Sequence, residues 1–224
     1  MKKIQMVDLQ SQYKKIKHEV DKSVIGIMEE ATFINGPIVK TFQKNLEEYL
    51  QVKHVIPCAN GTDALQIAMM SLGLKPGDEV ITSNFTFAST VEVIALLNLK
   101  PVLVDVDLKS FNIDCEKLEK AITTKTKALV AVHLYGNACD MDSLVEFCNK
   151  NNIYLIEDCA EAIGTMYKNQ AVGTFGDISC FSFYGNKTIS TGEGGMVCTD
   201  SLEFAEKITL FKQQGFDPYE NNYY

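Results

Sequence analysis

From residue 54 onward, short apolar runs alternate with longer segments whose apolar positions recur every three or four residues. His54-Val55-Ile56-Pro57-Cys58 reads as a strand. Behind it, Ala64, Leu65, Ala68, Met69 and Leu72 share one face of a helix over 62–72. Gly73 and Pro76-Gly77-Asp78 end that helix and turn the chain. The same patterns predict strands over 79–82, 101–106, 128–134, 153–158, 178–183 and 196–199. Between and after them they predict helices over 88–97, 118–122, 141–149 and 202–211. This alternation implies βαβ units, an α/β fold and a mainly parallel central sheet. Ligands in such sheets bind beyond the carboxyl ends of the strands, which directs attention to the loops there.

Composition narrows the class. The 224 residues, 46% of them hydrophobic, suffice for one large domain with its own core. The formal net charge of -8, with no basic stripe, argues against nucleic acid as a partner. No apolar run reaches membrane-spanning length, and no apolar signal core follows Met1-Lys2-Lys3. The seven Cys, at 58, 115, 139, 148, 159, 180 and 198, form no Cys-x-x-Cys pair. They read as buried thiols in a reducing, cytoplasmic setting. Cys159, beside Asp158, could instead be reactive, the rarer fate of a free Cys. His18, His54 and His133 offer no zinc spacing, so no metal is expected, and His133 reads as a satisfied core histidine.

The chemistry-bearing residues fall at the predicted strand ends. Lys187 stands in Ser182-Phe183-Tyr184-Gly185-Asn186-Lys187-Thr188, just before the glycine-rich Thr191-Gly192-Glu193-Gly194-Gly195. Upstream, the apolar run at 153–156 ends in Glu157-Asp158. A lysine, a carboxylate at a buried strand end and a small-residue loop together fit pyridoxal 5′-phosphate (PLP). That cofactor needs an amine for a Schiff base, an acid at its pyridine nitrogen and a cradle for its phosphate.

Each residue also has a plainer reading. Gly61 and Thr62 open a helix after a strand and suit either phosphate binding or ordinary N-capping by Thr62 or Asp63. Phe87 suits stacking on a flat ring, although core packing is the commoner fate of an aromatic. Asp158 needs a partner, either a protonated ring nitrogen or a structural cap or ion pair. Glu161 either faces the same pocket or is a solvated acid at a helix start. Gly185-Asn186-Lys187-Thr188 lacks the glycines of an ATP-binding loop, and no Gly-x-Ser-x-Gly elbow occurs.

Taken in order, Phe33-Ile34-Asn35-Gly36-Pro37, 59–65, 85–90, His133-Leu134-Tyr135-Gly136, 157–164 and 182–196 resemble the DegT/DnrJ/EryC1/StrS family of PLP-dependent sugar aminotransferases. The resemblance implies the aspartate-aminotransferase fold, fold type I. It implies Lys187 as the Schiff-base lysine, Asp158 at the pyridine nitrogen, and Gly61, Thr62 and Ser182 as the phosphate cradle. It also implies Phe87 stacked on the ring and Glu161 near the cofactor hydroxyl. Glutamate as donor, a keto-sugar nucleotide as acceptor, a role in cell-surface polysaccharide synthesis and a homodimer follow from the same source.

Glu161 and the loop around Lys187 resemble members that aminate 4-keto-6-deoxy sugars, GDP-perosamine synthases among them. The run Ile4 to Leu9 and Ala59-Asn60-Gly61-Thr62 looks closer to members that aminate 3-keto UDP-uronic acids. A sugar dehydratase of the family would carry His in place of Lys187. The expected organisation is an N-terminal arm and helix over 1–30 and a PLP-binding large domain over 31–224. The same reading expects the family's smaller C-terminal domain to be absent after Tyr224, which makes a non-catalytic remnant a further reading.

Overall fold

The computed structural model describes residue 4, residues 7–217 and residues 222–223. Met1–Lys3, Gln5 and Met6 of the amino-terminal run, and Pro218 and Tyr224 near the other end, lie outside the described residues. The chain divides into two units, Met1–Asn45 and Leu46–Tyr224. The first holds helix α1 (Leu9–Glu30), whose N-cap Asp8 accepts the Ser11 N–H. Ala31 stops α1 by turning left-handed, with φ 52°. Helix α2 (Pro37–Leu50) starts on a proline, which is suited to the first helical position.

The second unit runs β1 (His54–Cys58), α3 (Gly61–Ser71), β2 (Glu79–Ser83), α4 (Ser89–Leu96), β3 (Lys100–Val104), α5 (Leu118–Ala121), β4 (Thr126–Val132), α6 (Met141–Asn151) and β5 (Tyr154–Asp158). A two-residue hairpin follows, β6 (Met166–Tyr167) and β7 (Gln170–Ala171), then β8 (Ile178–Ser182), β9 (Gly195–Thr199) and α7 (Leu202–Lys212). Seven strands form one sheet in the order β1-β9-β8-β5-β4-β2-β3. β3, β2, β4, β5 and β8 pair in parallel, while β9 is antiparallel to both β8 and β1. Six strands therefore point one way and only β9 runs back. No helix lies between β8 and β9, so no crossover exists to return the chain, and the pair closes as a hairpin. Among the described residues no helix is long and apolar enough to cross a membrane.

Side-chain alternation along the strands fills two cores, one on each face of the sheet. Ala128, Val130, Val132 and Ile156 join one cluster with Ala64, Leu65, Met69 and Ile208. Leu129, Ala131 and Leu155 join the other, with Met141, Leu144 and Phe147. Gly195 lets β9 pass the start of α3, since a Cβ there would lie 2.4 Å from the Asn60 carbonyl.

Adjacent residues on a strand face opposite ways, so Glu157 and Asp158 at the end of β5 serve different surroundings. Glu157 is fully buried. It accepts the N–H groups of Gly173, Phe175 and Gly176, each at 2.7 Å, and meets His133 Nε2 at 3.0 Å. His133 Nδ1 accepts the Cys139 N–H, so in neutral histidine the proton sits on Nε2 and is donated to Glu157. His133 is thus a satisfied core histidine. Removing such a carboxylate strands four donors, two of them fully buried. We expect Glu157→Ala to lower unfolding stability by about 3–5 kcal/mol, the typical effect of breaking a buried charged contact. Urea titration with a midpoint close to that of the unaltered protein would contradict this network.

Candidate active site

Residues at or just after the carboxyl ends of β1, β2, β4, β5 and β8 line a cavity of about 680 Å³. Gly61, Thr62, Phe87, Asp158, Glu161, Ser182 and Lys187 all line it. Each enters from the end of a strand or the segment just after one. At the mouth of β1, the N-cap of α3 is Asn60, whose side chain accepts the Asp63 N–H at 2.8 Å. Neither Thr62 nor Asp63 caps the helix, contrary to the plainer sequence reading. The first N–H groups, those of Gly61 and Thr62, have no carbonyl partner within the helix and stand at its positive end. Gly61 is required by packing, because a Cβ there would lie 2.7 Å from Ser182 Cβ and 3.1 Å from its Oγ.

Asp158 is 5% exposed. Its Oδ2 accepts the Thr90 hydroxyl at 2.9 Å and its Oδ1 the Ala160 N–H at 3.1 Å. Burial raises its pKa above the ordinary 3.8, and the hydrogen bonds from Ala160 and Thr90 only partly oppose the shift. Burial outweighs these bonds and the more distant pull of His133 and Lys187, so a cation placed directly on this carboxyl group would stabilise its charged form. Thr90 was not singled out from the sequence as a site residue. A threonine in the first turn of a helix carries no signal that it will reach an acid 68 residues away.

Lys187 sits in a turn where its N–H meets the Tyr184 carbonyl at 2.9 Å. Backbone bonds from Phe183 to Gly194 and from Thr191 to Phe183 close the base of this loop. Its Nζ lies 3.2 Å from Glu161 Oε1. Glu161 occupies a turn rather than a helix start, and its Oε2 accepts the Tyr135 N–H at 2.9 Å. Tyr135 was likewise given no separate role in the sequence. Phe87 is 74% exposed at the cavity, so it is not the core residue that base rates favour. Phe85 beside it packs on Phe111, with ring centroids 5.8 Å apart.

Two other features are structural. His133, Glu157 and Cys159 place possible metal-ligand atoms within 4.8 Å of one another. Both His133 nitrogens and both Glu157 oxygens are already engaged in hydrogen bonds. All seven Cys are free, and burial pushes the Cys159 thiol well above its ordinary range, against its being a thiolate nucleophile.

Residues 14–224 match the DegT/DnrJ/EryC1/StrS aminotransferase family. The chain belongs to this family. It is 45% identical over 183 residues to the GDP-perosamine synthase of Caulobacter vibrioides, covering 82% of this chain and 49% of that protein. It is 40% identical over 215 residues to the UDP-2-acetamido-2-deoxy-3-oxo-D-glucuronate aminotransferase of Pseudomonas aeruginosa, covering 96% of this chain and 60% of that one. The crystal structure of NtdA from Bacillus subtilis with bound cofactor PMP superposes with a TM-score of 0.91 at 32% identity, covering 96% of this chain and 49% of that one. The chain thus spans about half the length of the curated relatives it matches.

The raised pKa of Asp158 has a consequence for stability. A raised folded-state pKa means that the folded protein holds the proton more tightly than the unfolded chain. The associated stability is present at low pH and is lost as pH rises through the folded value. In the cofactor-free protein, Asp158→Asn should therefore shift the urea midpoint upward at pH 7. The gain should shrink as pH falls toward 4. A gain that grows on acidification would contradict the burial argument.

Proposed function

We propose that the protein uses pyridoxal 5′-phosphate to transfer an amino group from glutamate to a keto-sugar nucleotide, in the service of cell-surface polysaccharide synthesis. The observation that carries this reading is the meeting, in one cavity, of an amine, a buried acid whose charged form a cation would stabilise and an open helix N-terminus. Each feature fits one part of the cofactor. The Gly61 and Thr62 N–H groups, with the Thr62 and Ser182 hydroxyls, would hold the phosphate. Asp158 would face the ring nitrogen and keep it protonated, and Phe87 would cover the ring. Lys187 would provide the covalent attachment. When bound, the cofactor supplies an electron sink for the carbon that gives up its proton.

The chain's own part in the reaction is positioning and proton movement. Thr90 and the Ala160 N–H hold the Asp158 carboxyl in one orientation. Lys187 Nζ, once displaced by the donor amine, would move the proton from the donor Cα to the cofactor carbon bonded to the donor's nitrogen, acting as base and then as acid. In the second half the same nitrogen moves a proton the other way, and the sugar leaves aminated. The reading takes the functional unit to be a homodimer. Borohydride treatment of the loaded protein, then peptide mapping, should place the pyridoxyl label on Lys187, and label on another lysine would sink the assignment.

Within this activity we assign the acceptor as a 4-keto-6-deoxy sugar nucleotide. A uronic acid carries a carboxylate that is usually met by a cationic fork. The chain contains no Arg, and the charged residues lining the cavity besides Lys187 are Asp63, Asp158, Glu161 and Glu193. Likeness to the Caulobacter protein supports the same choice, while the Pseudomonas protein stands for the 3-keto uronic acid. Side-by-side turnover with glutamate as donor should favour the 4-keto substrate by roughly tenfold or more, the worth of one charged contact. Faster amination of the 3-keto uronic acid would reverse the assignment.

A further inference from the structure

The Lys187–Glu161 pair differs from an ordinary surface ion pair. Its side chains are 18% and 34% exposed, and the carboxylate is anchored at both ends. Oε1 faces Lys187 Nζ at 3.2 Å, while Oε2 accepts the Tyr135 N–H at 2.9 Å. That N–H is aimed by an unusual backbone. Tyr135 is left-handed, with φ 55° and ψ 26°, and Gly136 follows at φ 78°. The turn is tied back by the Thr165 hydroxyl, which donates to the Gly136 carbonyl at 3.0 Å. A non-glycine residue held in this region costs energy and persists only where the surroundings enforce it. Here the turn delivers a backbone donor to the free oxygen of the acid that holds the lysine.

Two other acids of the cavity are differently engaged. Asp158 is held by Thr90 and Ala160, and Asp63 by Asn60. Among the described residues Lys187 forms an ion pair only with Glu161.

We infer that Glu161 is a positioning residue that acts through Lys187, holding its nitrogen in place and stabilising the charge it acquires during proton transfer. The inference rests on the reading of Lys187 given above. When Nζ takes the donor proton, the C–H bond breaks, an N–H bond forms, and the electron pair stays with the carbon to be drawn into the cofactor. Nζ changes from neutral to positive in that step. A fixed carboxylate at 3.2 Å stabilises the charge as it develops and needs no reorganisation to do so. It also keeps Nζ from swinging away between accepting the proton and delivering it. In the return step Nζ loses the proton and the carboxylate keeps its place on the Tyr135 N–H.

Glu161→Gln is the discriminating variant. It is isosteric and keeps an oxygen for the Tyr135 N–H, so the turn remains and only the charge goes. The first arm uses cofactor-free protein, limiting acetic anhydride and peptide mass spectrometry. A lysine freed from its ion pair should be acetylated about three- to fivefold faster in the variant, the worth of an ordinary pair. Because no cofactor is present, this arm tests the pairing whether or not Lys187 is the attachment point.

The second arm uses the loaded protein and follows loss of the visible cofactor band on adding glutamate, with and without deuterium at Cα. The variant should react about tenfold more slowly, as the loss of a charge stabiliser predicts. It should also show a larger isotope effect and little change in the glutamate concentration giving half-maximal rate. A merely structural role would leave the isotope effect unmoved. Equal acetylation, or equal rates with an equal isotope effect, would overturn the inference.

Discussion

A strand buried on both faces that ends in two adjacent carboxylates must find donors for each of them. β5 does so by sending its side chains to opposite sides of the sheet. Glu157 is met by three backbone N–H groups and His133, all within the protein. Among the described residues Asp158 is met by one hydroxyl and one N–H, and burial raises its pKa in spite of them. The first arrangement satisfies its acid completely and fastens the strand end. The second leaves a deficit that a cationic ring would fill. Satisfaction on one face gives the rigidity that the deficit on the other face requires.

The rest of the site follows from strand direction. Six strands present their carboxyl ends to the same side, so helix N-termini, strand-end acids and loops share one cavity. β9 alone runs back, and the loop that makes this reversal carries Lys187. The amine therefore reaches the cavity on a loop closed at its base by backbone bonds, across from the start of α3. Family membership and the superposition on a structure with bound PMP agree with this fold.

Much of this was legible in the sequence because it is local. Apolar runs bounded by turn residues mark the strands of the sheet, with ends displaced by only a residue or two in most cases. The strand expected over 128–134 stops at Val132 because Leu134 opens a tight turn. What periodicity does not carry is pairing partner and direction, so the reversal of β9 was not visible. Asn60 takes the capping role that the plainer sequence reading places on Thr62 or Asp63, a choice made by side-chain geometry. Phe87 ran against composition, since an aromatic in the segment between β2 and α4 has no mark showing whether it faces core or cavity. Thr90 and the Gly173–Gly176 donors are distant in sequence from the acids they serve, and only tertiary structure brings them together.

The account turns on whether the Asp158 deficit is met by the protonated ring nitrogen of a bound cofactor. The most direct measurement is the nitrogen NMR shift of ring-labelled pyridoxal phosphate bound to the protein at neutral pH. A pyridinium-like shift that moves to the neutral pyridine range in Asp158→Asn is the result predicted here. A neutral-pyridine shift in the unaltered protein would contradict it.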